Sequence, residues 1–258
     1  MLTILQQIAL KGRLIGEVVA VIHETPYMTP TPRLQSLRML VHHSRRMDDW
    51  EESAWALAAS LGTYPTGEKI FEAYWRALIF NRENLDKVPG QDFEWAFKNW
   101  NTSFAQCKDE SLIELTDLLQ QARLRSEHDE PPPSILGRVQ RFFSAVYTQG
   151  QLFPSNVRLL AKLDLLKRLM KDGAPYEHAF FRYAAGRKFC TNTHGYMGWV
   201  PSAAHAGDVF CFFEDCKLPF VLRRCEEGYK LIGDAYLHGL THLTLMLYLP
   251  RKQDIILV

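Results

Sequence analysis

The chain has 258 residues, of which 47% are hydrophobic and 23% are charged, and its formal net charge is +1. These ordinary globular values exclude an extended disordered chain and give no electrostatic support for binding to nucleic acid or to an acidic membrane. The sequence has no apolar run long enough to span a membrane, and its first residues lack the pattern of a signal peptide.

The first predicted element is a β-strand over residues 12–22, because this stretch is rich in β-branched side chains. The strand starts abruptly, and no segment before it is suited to pair with it. We therefore expect it to present an edge that lacks its pairing partner.

Apolar residues at helical spacing then predict a series of helices. In chain order, the predicted helices cover residues 34–41, 50–61, 67–80, 95–104, 112–122, 135–147, 155–170 and 175–183. Thr31 and Thr66 are suited to cap the first and the third of them. Residues 171–173, which end in Gly173, are expected to stop the seventh helix, and Pro175 to open the eighth. The acidic, proline-rich stretch 127–134 predicts an exposed linker.

From residue 187 onwards the pattern changes to short strands separated by turns. The five predicted strands cover residues 188–191, 196–200, 208–213, 219–223 and 229–237. A spacing of about ten residues between such strands is typical of an antiparallel meander or a small barrel. Alternation along the strands predicts six side chains that point mainly inward. They are Phe189, Val209, Cys211, Phe220, Leu222 and Leu231.

Together these elements predict an α+β fold, in which a mostly helical amino-terminal part is followed by a small antiparallel β-meander or barrel-like unit. The predicted divisions are a mainly helical region with an early strand at 1–185, a β-rich unit at 186–240 and a divergent carboxy-terminal tail at 241–258. We expect the open face of the β unit to pack on the helices.

The β-rich segment contains an ordered set of short motifs. They are Gly186–Thr191, Gly195–Pro201, Gly207–Val209, Pro219–Arg223 and Gly228–Gly239. This succession resembles the region downstream of the signalling domain in fungal heterokaryon-incompatibility proteins. Residues 10–15 and 74–78 look similar to earlier parts of the same region, so the resemblance extends from about residue 10 to residue 240.

The resemblance implies a part in fungal non-self recognition and in the cell death that follows fusion of unlike strains. The family's signalling domain has no counterpart in this sequence, and after Leu240 the chain departs from the family's usual glycine- and acid-containing turn. We therefore predict a non-enzymatic regulatory or interaction module, either a truncated, inactive remnant or a regulator of intact relatives. Its candidate partners are unknown proteins, including those relatives, and no nucleic acid is expected.

The cysteines are odd in number. They are Cys107, Cys190, Cys211, Cys216 and Cys225. An odd count in a chain of this length argues against a disulfide framework and favours reduced thiols in the cytoplasm. A zinc-stabilised scaffold is one alternative, in which Cys211, Cys216 and Cys225 bind zinc with His194 or His205. The set lacks a second close pair of cysteines, and Cys211 falls in an apolar strand, so we expect no bound metal.

Sequence motifs for catalysis are missing. The chain has no Gly-x-Ser-x-Gly elbow, no glycine-rich nucleotide loop and no His-Glu-x-x-His helix. We therefore predict no catalytic, cofactor-binding or metal-binding residues. A hydrolase-type enzyme stays open as a second alternative, and it would require His194, Asp208 and Cys190 to converge in the β-rich unit. Aromatic residues around Trp95 and Trp100 could stack on a ligand, but their helical spacing favours a place in the core.

Overall fold

The structure, a computed structural model, describes residues 7–26, 37–83, 87–108, 154–240 and 251–258. These residues form four helices. The helices are α1 (Leu37–Ala59), α2 (Ile70–Leu78), α3 (Gln91–Gln106) and α4 (Pro154–Ala184). Within the described ranges, no helix combines the length and the apolar character needed to cross a bilayer.

Eight strands form one sheet in the described residues. They are β1 (Ile8–Glu24), β2 (Arg187–Asn192), β3 (Met197–Pro201), β4 (Val209–Phe213), β5 (Phe220–Cys225), β6 (Gly228–Asp234), β7 (Tyr236–Leu237) and β8 (Gln253–Leu257). Strands β4, β5, β6, β8 and β1 are neighbours in that order, and β1 pairs again with β4, so the five close into a barrel. The predicted α+β fold with a barrel-like unit is confirmed. The barrel is mixed, because β6 and β8 run parallel.

Strand β1 is 17 residues long, and it therefore extends through two parts of the sheet. Its first part pairs with β8 and β4 in the barrel, and its second part, from Val18, pairs with β2, which leads on to β3 and β7. A register shift between Leu14 and Glu17, together with a φ of 104° at Gly16, marks an irregularity between the two parts. The expectation of an unpaired edge is therefore wrong. The partners of β1 come much later in the chain, where local pattern gives no sign of them.

The barrel interior is filled by side chains from all five of its strands. They are Leu14, Cys211, Phe213, Phe220, Leu222, Tyr229, Ile255 and Leu257. A second core lies on the opposite face of β4 and includes Phe210, Phe212, Val221 and, from β2, Cys190. Because successive residues of a strand point to opposite faces, β4 contributes to both cores and is buried along its whole length.

The predicted inward side chains are placed correctly in most cases. Phe189, Val209, Cys211 and Leu222 are buried, and Phe220 is partly buried.

The inward prediction for Leu231 is wrong, because this side chain is 46% exposed. Strand β6 pairs with β8 only at Tyr229, so none of the described strands covers its other edge at residue 231. A register shift in the β5–β6 pair lies between Val221 and Leu222, next to Leu231. Alternation along a single strand predicts neither the extent of its pairing with a neighbour nor a register shift.

A layer of aromatic rings joins β2 and β3 to the helices. The indoles of Trp50 and Trp199 stack at 5.8 Å with an interplanar angle of 9°, and the ring of Phe180 lies 5.5 Å from Trp50 in an edge-on contact. Trp199 donates its indole N–H to the carbonyl oxygen of Ala77 at 3.0 Å. Such pairs stabilise the packing beyond the area that they bury. The β unit thus packs on helices, as expected.

Helix α1 unites two of the predicted helices, 34–41 and 50–61, because the polar stretch between them contains no glycine or proline to interrupt it. The predictions at 67–80 and 95–104 are confirmed as α2 and α3, with shifted ends. The predicted helices at 112–122 and 135–147 and the linker at 127–134 lie outside the described residues.

The predicted stop at Gly173 is wrong, because α4 continues through both Gly173 and Pro175. A Cβ atom on Gly173 would lie 2.7 Å from the backbone nitrogen and Cα of Trp100 in α3. Glycine therefore allows a close approach between two helix backbones at this point, and it does not end a helix.

The chain divides into two compact units. One comprises residues 1–27, 50–94 and 176–258, and the other comprises residues 28–49 and 95–175. The first unit contains all eight strands and α2. The domain limits given by the sequence stay predictions, although the barrel takes β1 and β8 from outside the range 186–240.

Replacing Leu222 in the barrel interior should cost more stability than replacing the partly exposed Leu231. We expect Leu222→Ala to lower the free energy of unfolding by about 2–5 kcal/mol, because it leaves a cavity. The matched variant Leu231→Ala should lower it much less, because nearly half of this side chain is already exposed to solvent. Chemical denaturation of both variants measures the difference, and equal losses would contradict the assignment of the barrel interior.

Gly173 should reverse the usual effect of a glycine-to-alanine change in a helix. Such a change normally stabilises a helix by about 1 kcal/mol. We expect Gly173→Ala instead to destabilise the protein by about 1–3 kcal/mol, because the new methyl group overlaps the Trp100 backbone. Gly90→Ala is the control, since a Cβ atom there meets nothing within 4 Å. A stabilised Gly173→Ala protein would show that α3 and α4 do not approach each other in this way.

Candidate functional site

A chain of hydrogen-bonded titratable side chains surrounds His238, which is 2% exposed and follows β7. Its Nε2 atom lies 3.1 Å from Oε2 of Glu68, and its Nδ1 atom lies 3.1 Å from the hydroxyl oxygen of Tyr236. A carboxylate can only accept, so Nε2 carries the hydrogen of this bond, and an unprotonated Nδ1 accepts from the Tyr236 hydroxyl. Hydrogen bonds therefore run from Tyr236 to His238 to Glu68. We call these three residues the His238 network.

The segment that contains Glu68 is fixed against the turn that contains His238. Thr66 donates its hydroxyl hydrogen to Oε2 of Glu68 at 2.6 Å, and Tyr64 donates its own to the carbonyl oxygen of His238 at 2.8 Å. Gly239 has a φ of 75°, and a Cβ atom there would overlap the Thr66 side chain. Glycine therefore serves both the backbone conformation and the close contact.

The environment of the His238 network sets the protonation states of its members. The hydrogen bond from His238 lowers the pKa of Glu68 to about 2, although partial burial acts in the opposite direction. Burial raises the pKa of Tyr236 well above its ordinary value, and it does the same for Tyr64. At neutral pH the carboxylate is therefore ionised and both phenols keep their protons.

The order of groups in the His238 network is that of a nucleophile, a base and an orienting acid. A neighbouring base can activate a nucleophile, but here burial raises the pKa of the Tyr236 phenol and opposes its ionisation. The ring of Phe80 also covers Tyr236, with 4.4 Å between the ring centroids. In this arrangement the network acts as a clamp between two chain segments.

Phe80 lies in a stack of three aromatic rings. Its other neighbour is Tyr183, at 5.1 Å and 25°. The guanidinium of Arg187 lies 5.6 Å from the centroid of the Phe80 ring, and it forms a 2.6 Å ion pair with Asp234. The stack therefore joins the end of α2 to the end of α4 and to β7.

A second polar cluster braces the turn before β4. Arg223 donates from Nε to Oδ1 and from Nη2 to Oδ2 of Asp208, both at 2.9 Å, and the backbone N–H of His205 donates to the same carboxylate. Burial alone raises the pKa of Asp208, but Arg223 and His205 hold it below its ordinary value. This two-point ion pair is a strong one. Asp208 and Arg223 belong to the motifs that resemble heterokaryon-incompatibility proteins, which we call the family-like motifs. Their ion pair holds β4 and β5 together.

The residues of the hydrolase alternative do not converge. Cys190 is fully buried in the second core, and burial raises the pKa of its thiol. Asp208 is engaged by Arg223, and His194 is exposed in the turn between β2 and β3. Among the described residues, no hydrogen bond or ion pair joins any two of His194, Asp208 and Cys190.

The residues of the zinc alternative are also spread apart. Cys211 lies in the barrel interior, where burial raises its pKa to about 12, and Cys216 packs beside it. Cys225 is exposed at the end of β5, and all five cysteines are free thiols. In the ranges that the structure describes, no group of three or more His, Cys, Asp or Glu side chains is placed to hold a metal ion.

Of the two tryptophans that were expected in the core, Trp100 is buried and Trp95 is 55% exposed. Sequence reasoning missed the His238 network altogether. His238 and Gly239 do close the last family-like motif, and this was the one available signal. Nothing in the local sequence marks Glu68, which lies 170 residues earlier.

Residues 160–258 match the family model described as the Het-6 beta-barrel domain. The matched range includes β2 to β8 and most of α4. The resemblance to heterokaryon-incompatibility proteins is therefore confirmed for this carboxy-terminal region. Strand β1, which completes the barrel, lies outside the matched range. Comparisons with curated proteins and with solved structures gave no significant match.

The lowered pKa of Glu68 predicts a specific dependence of stability on pH. The folded-state pKa of about 2 lies below the ordinary value of 4.5, so ionised Glu68 stabilises the fold above about pH 4.5, and this contribution is lost as the pH falls towards 2. We expect Glu68→Gln to reduce the fall in unfolding free energy between about pH 5 and pH 3. Denaturant titrations at several pH values measure how the free energy of unfolding of each protein changes with pH.

The control for this prediction is Glu226→Gln, which changes an exposed glutamate in the turn after β5. It should follow the wild-type curve. If Glu68→Gln also follows the wild-type curve, the hydrogen bond between Glu68 and His238 does not stabilise the folded protein.

Proposed function

We propose that residues 160–258, called the barrel region below, form a non-enzymatic regulatory or interaction module of the heterokaryon-incompatibility type. The observation that carries this proposal is the match of residues 160–258 to the Het-6 beta-barrel domain. The proposed setting is the fungal cytoplasm, and the proposed process is non-self recognition with the cell death that follows it.

The use of polar side chains in the barrel region supports a role without catalysis. Asp208 and Arg223 neutralise each other, Arg187 is paired with Asp234, and His238 has both ring nitrogens engaged. These groups join strands and turns to one another, and none is an activated nucleophile. The region's contribution to function would then come from its surface, through contacts with other proteins.

The proposed partners are proteins, including intact heterokaryon-incompatibility relatives. A net charge of +1 gives no general attraction to nucleic acid, so the proposed partners do not include it. In this view the barrel region regulates or supports a signalling domain, and it does not itself cause death.

Expression in a filamentous fungus tests this proposal. We expect the chain alone to cause no cell death, and its fusion to an intact signalling domain of a heterokaryon-incompatibility protein to arrest growth. The fusion carrying Leu222→Asp should lose this effect, because a buried carboxylate unfolds the barrel. Colony growth and vital-dye uptake provide the measurements.

Toxicity from misfolding requires a matched control. Leu231→Ser alters an exposed side chain of the same barrel and should keep the fold. If the native chain kills alone, while the Leu222→Asp chain does not, the chain is an autonomous effector and the proposal is wrong. If both kill, the toxicity follows from unfolded protein and says nothing against the proposed role of the fusion.

A further inference from the structure

The backbone at the end of α2 has an unusual residue at a position that favours glycine. The N–H of Phe80 donates to the carbonyl of Ala77, and the N–H of Asn81 donates to that of Arg76, in the pattern that commonly ends a helix. In this pattern the residue in the position of Phe80 is left-handed and usually glycine. Phe80 has a φ of 56°, and Asn81, the next residue, has a φ of 52°.

A left-handed phenylalanine is strained, so the surroundings of its side chain must hold it there. The ring of Phe80 lies between those of Tyr183 and Tyr236, and the Arg187 guanidinium approaches it as well. The packing of the Phe80 side chain is favourable, whereas its backbone conformation is not. The slot between the tyrosines suits an aromatic ring, whereas the backbone of the residue that fills it is strained.

The residues around the slot are partly exposed, and one of them carries a hydrogen-bonding group without a partner. Among the described residues, the buried hydroxyl of Tyr183 has no hydrogen-bond partner. Phe80, Tyr183, Tyr236 and Arg187 are all half-buried, so an incoming group could reach the slot without unfolding the core. A buried polar group without a partner is costly, and a ligand that supplies one would be favoured.

We propose that Phe80 is a resident plug in a slot that binds an aromatic side chain of a partner protein. The inference rests on the interaction role proposed above and adds the class of group that the module would recognise. An incoming ring would replace Phe80 between Tyr183 and Tyr236, and residues 80 and 81 would leave their strained conformation. The incoming chain would also bring backbone groups within reach of the Tyr183 hydroxyl.

The chemistry of the slot favours an aromatic side chain over an anion or a metal ion. Its walls are two phenol rings, which offer their faces to another ring. Arg187, whose guanidinium approaches the Phe80 ring, is already neutralised by Asp234. The benzyl group of Phe80 shows directly which shape fits. We therefore take N-acetylphenylalaninamide as the probe, with N-acetylleucinamide and N-acetylalaninamide as controls for size and polarity.

The first experiment uses the wild-type chain. The amides of residues 80–82 are held by short-range hydrogen bonds to Ala77, Arg76 and Ile79, so displacement of the plug must break these bonds. We expect saturating N-acetylphenylalaninamide to increase the hydrogen exchange of these amides at least tenfold, without faster exchange in the barrel. The two control amides should leave the exchange unchanged.

The second experiment removes the plug. Phe80→Gly places the favoured residue at the left-handed position and empties the slot, so it should bind the aromatic probe at least ten times more tightly than the wild type does. Adding Tyr183→Leu, which replaces one wall, should reverse this gain. If Phe80→Gly does not fold by circular dichroism, Phe80→Leu provides the second variant, with an aliphatic plug that the probe should displace more easily.

The outcomes separate a real slot from an artificial cavity. Binding by Phe80→Gly with no change of exchange in the wild type would mean that the mutation merely made a hole, and the proposal would fall. Absence of probe binding by both proteins would also overturn it. Because these measurements use purified protein and a small probe, they are independent of the growth phenotype, so the slot and the regulatory role can fail separately.

Discussion

The β structure depends on the pairing of strand β1 with three other strands. Residues 8–12 pair with β8, residues 12–17 with β4 and residues 18–24 with β2. Without β1 the barrel would have two open edges, and within the described residues no strand pairing would connect the sheet of β2, β3 and β7 to it. Unpaired edges are exposed to association with other chains. A single long strand therefore closes the barrel and also places the second core against it.

Three polar pairs determine how the connections around this framework are held. Asp208 with Arg223 holds the turn before β4, Arg187 with Asp234 links β2 to β6, and His238 with Glu68 fastens the end of β7 to the segment before α2. Each pair joins residues that are distant in sequence. Because five of these six residues fall in the family-like motifs, much of what makes the motifs recognisable is explained by the folding of the barrel.

Local pattern in the sequence was sufficient where structure depends on local spacing. Alternation and turn residues located β2 to β6, and helical spacing located α2 and α3. It was insufficient wherever a distant segment decides the outcome. Gly173 resembles a helix stop, but it is needed for the approach of Trp100. Leu231 alternates like a core residue, but no strand in the described part of the chain covers the adjacent edge of β6. The His238 network also depends on a distant segment, because the role of Glu68 is visible only once the fold places it beside His238.

The closing pair of the barrel has a consequence for how the protein is made. Ile8 pairs with Leu257, so the ring of strands cannot close until the ribosome has synthesised nearly 250 further residues. Until then β1 emerges as an apolar strand with open edges, and the interior of β4 and β5 stays accessible to water. Pairing over such a long separation is slow to form. The nascent chain should therefore depend on chaperones, and premature termination before β8 should yield an aggregating product.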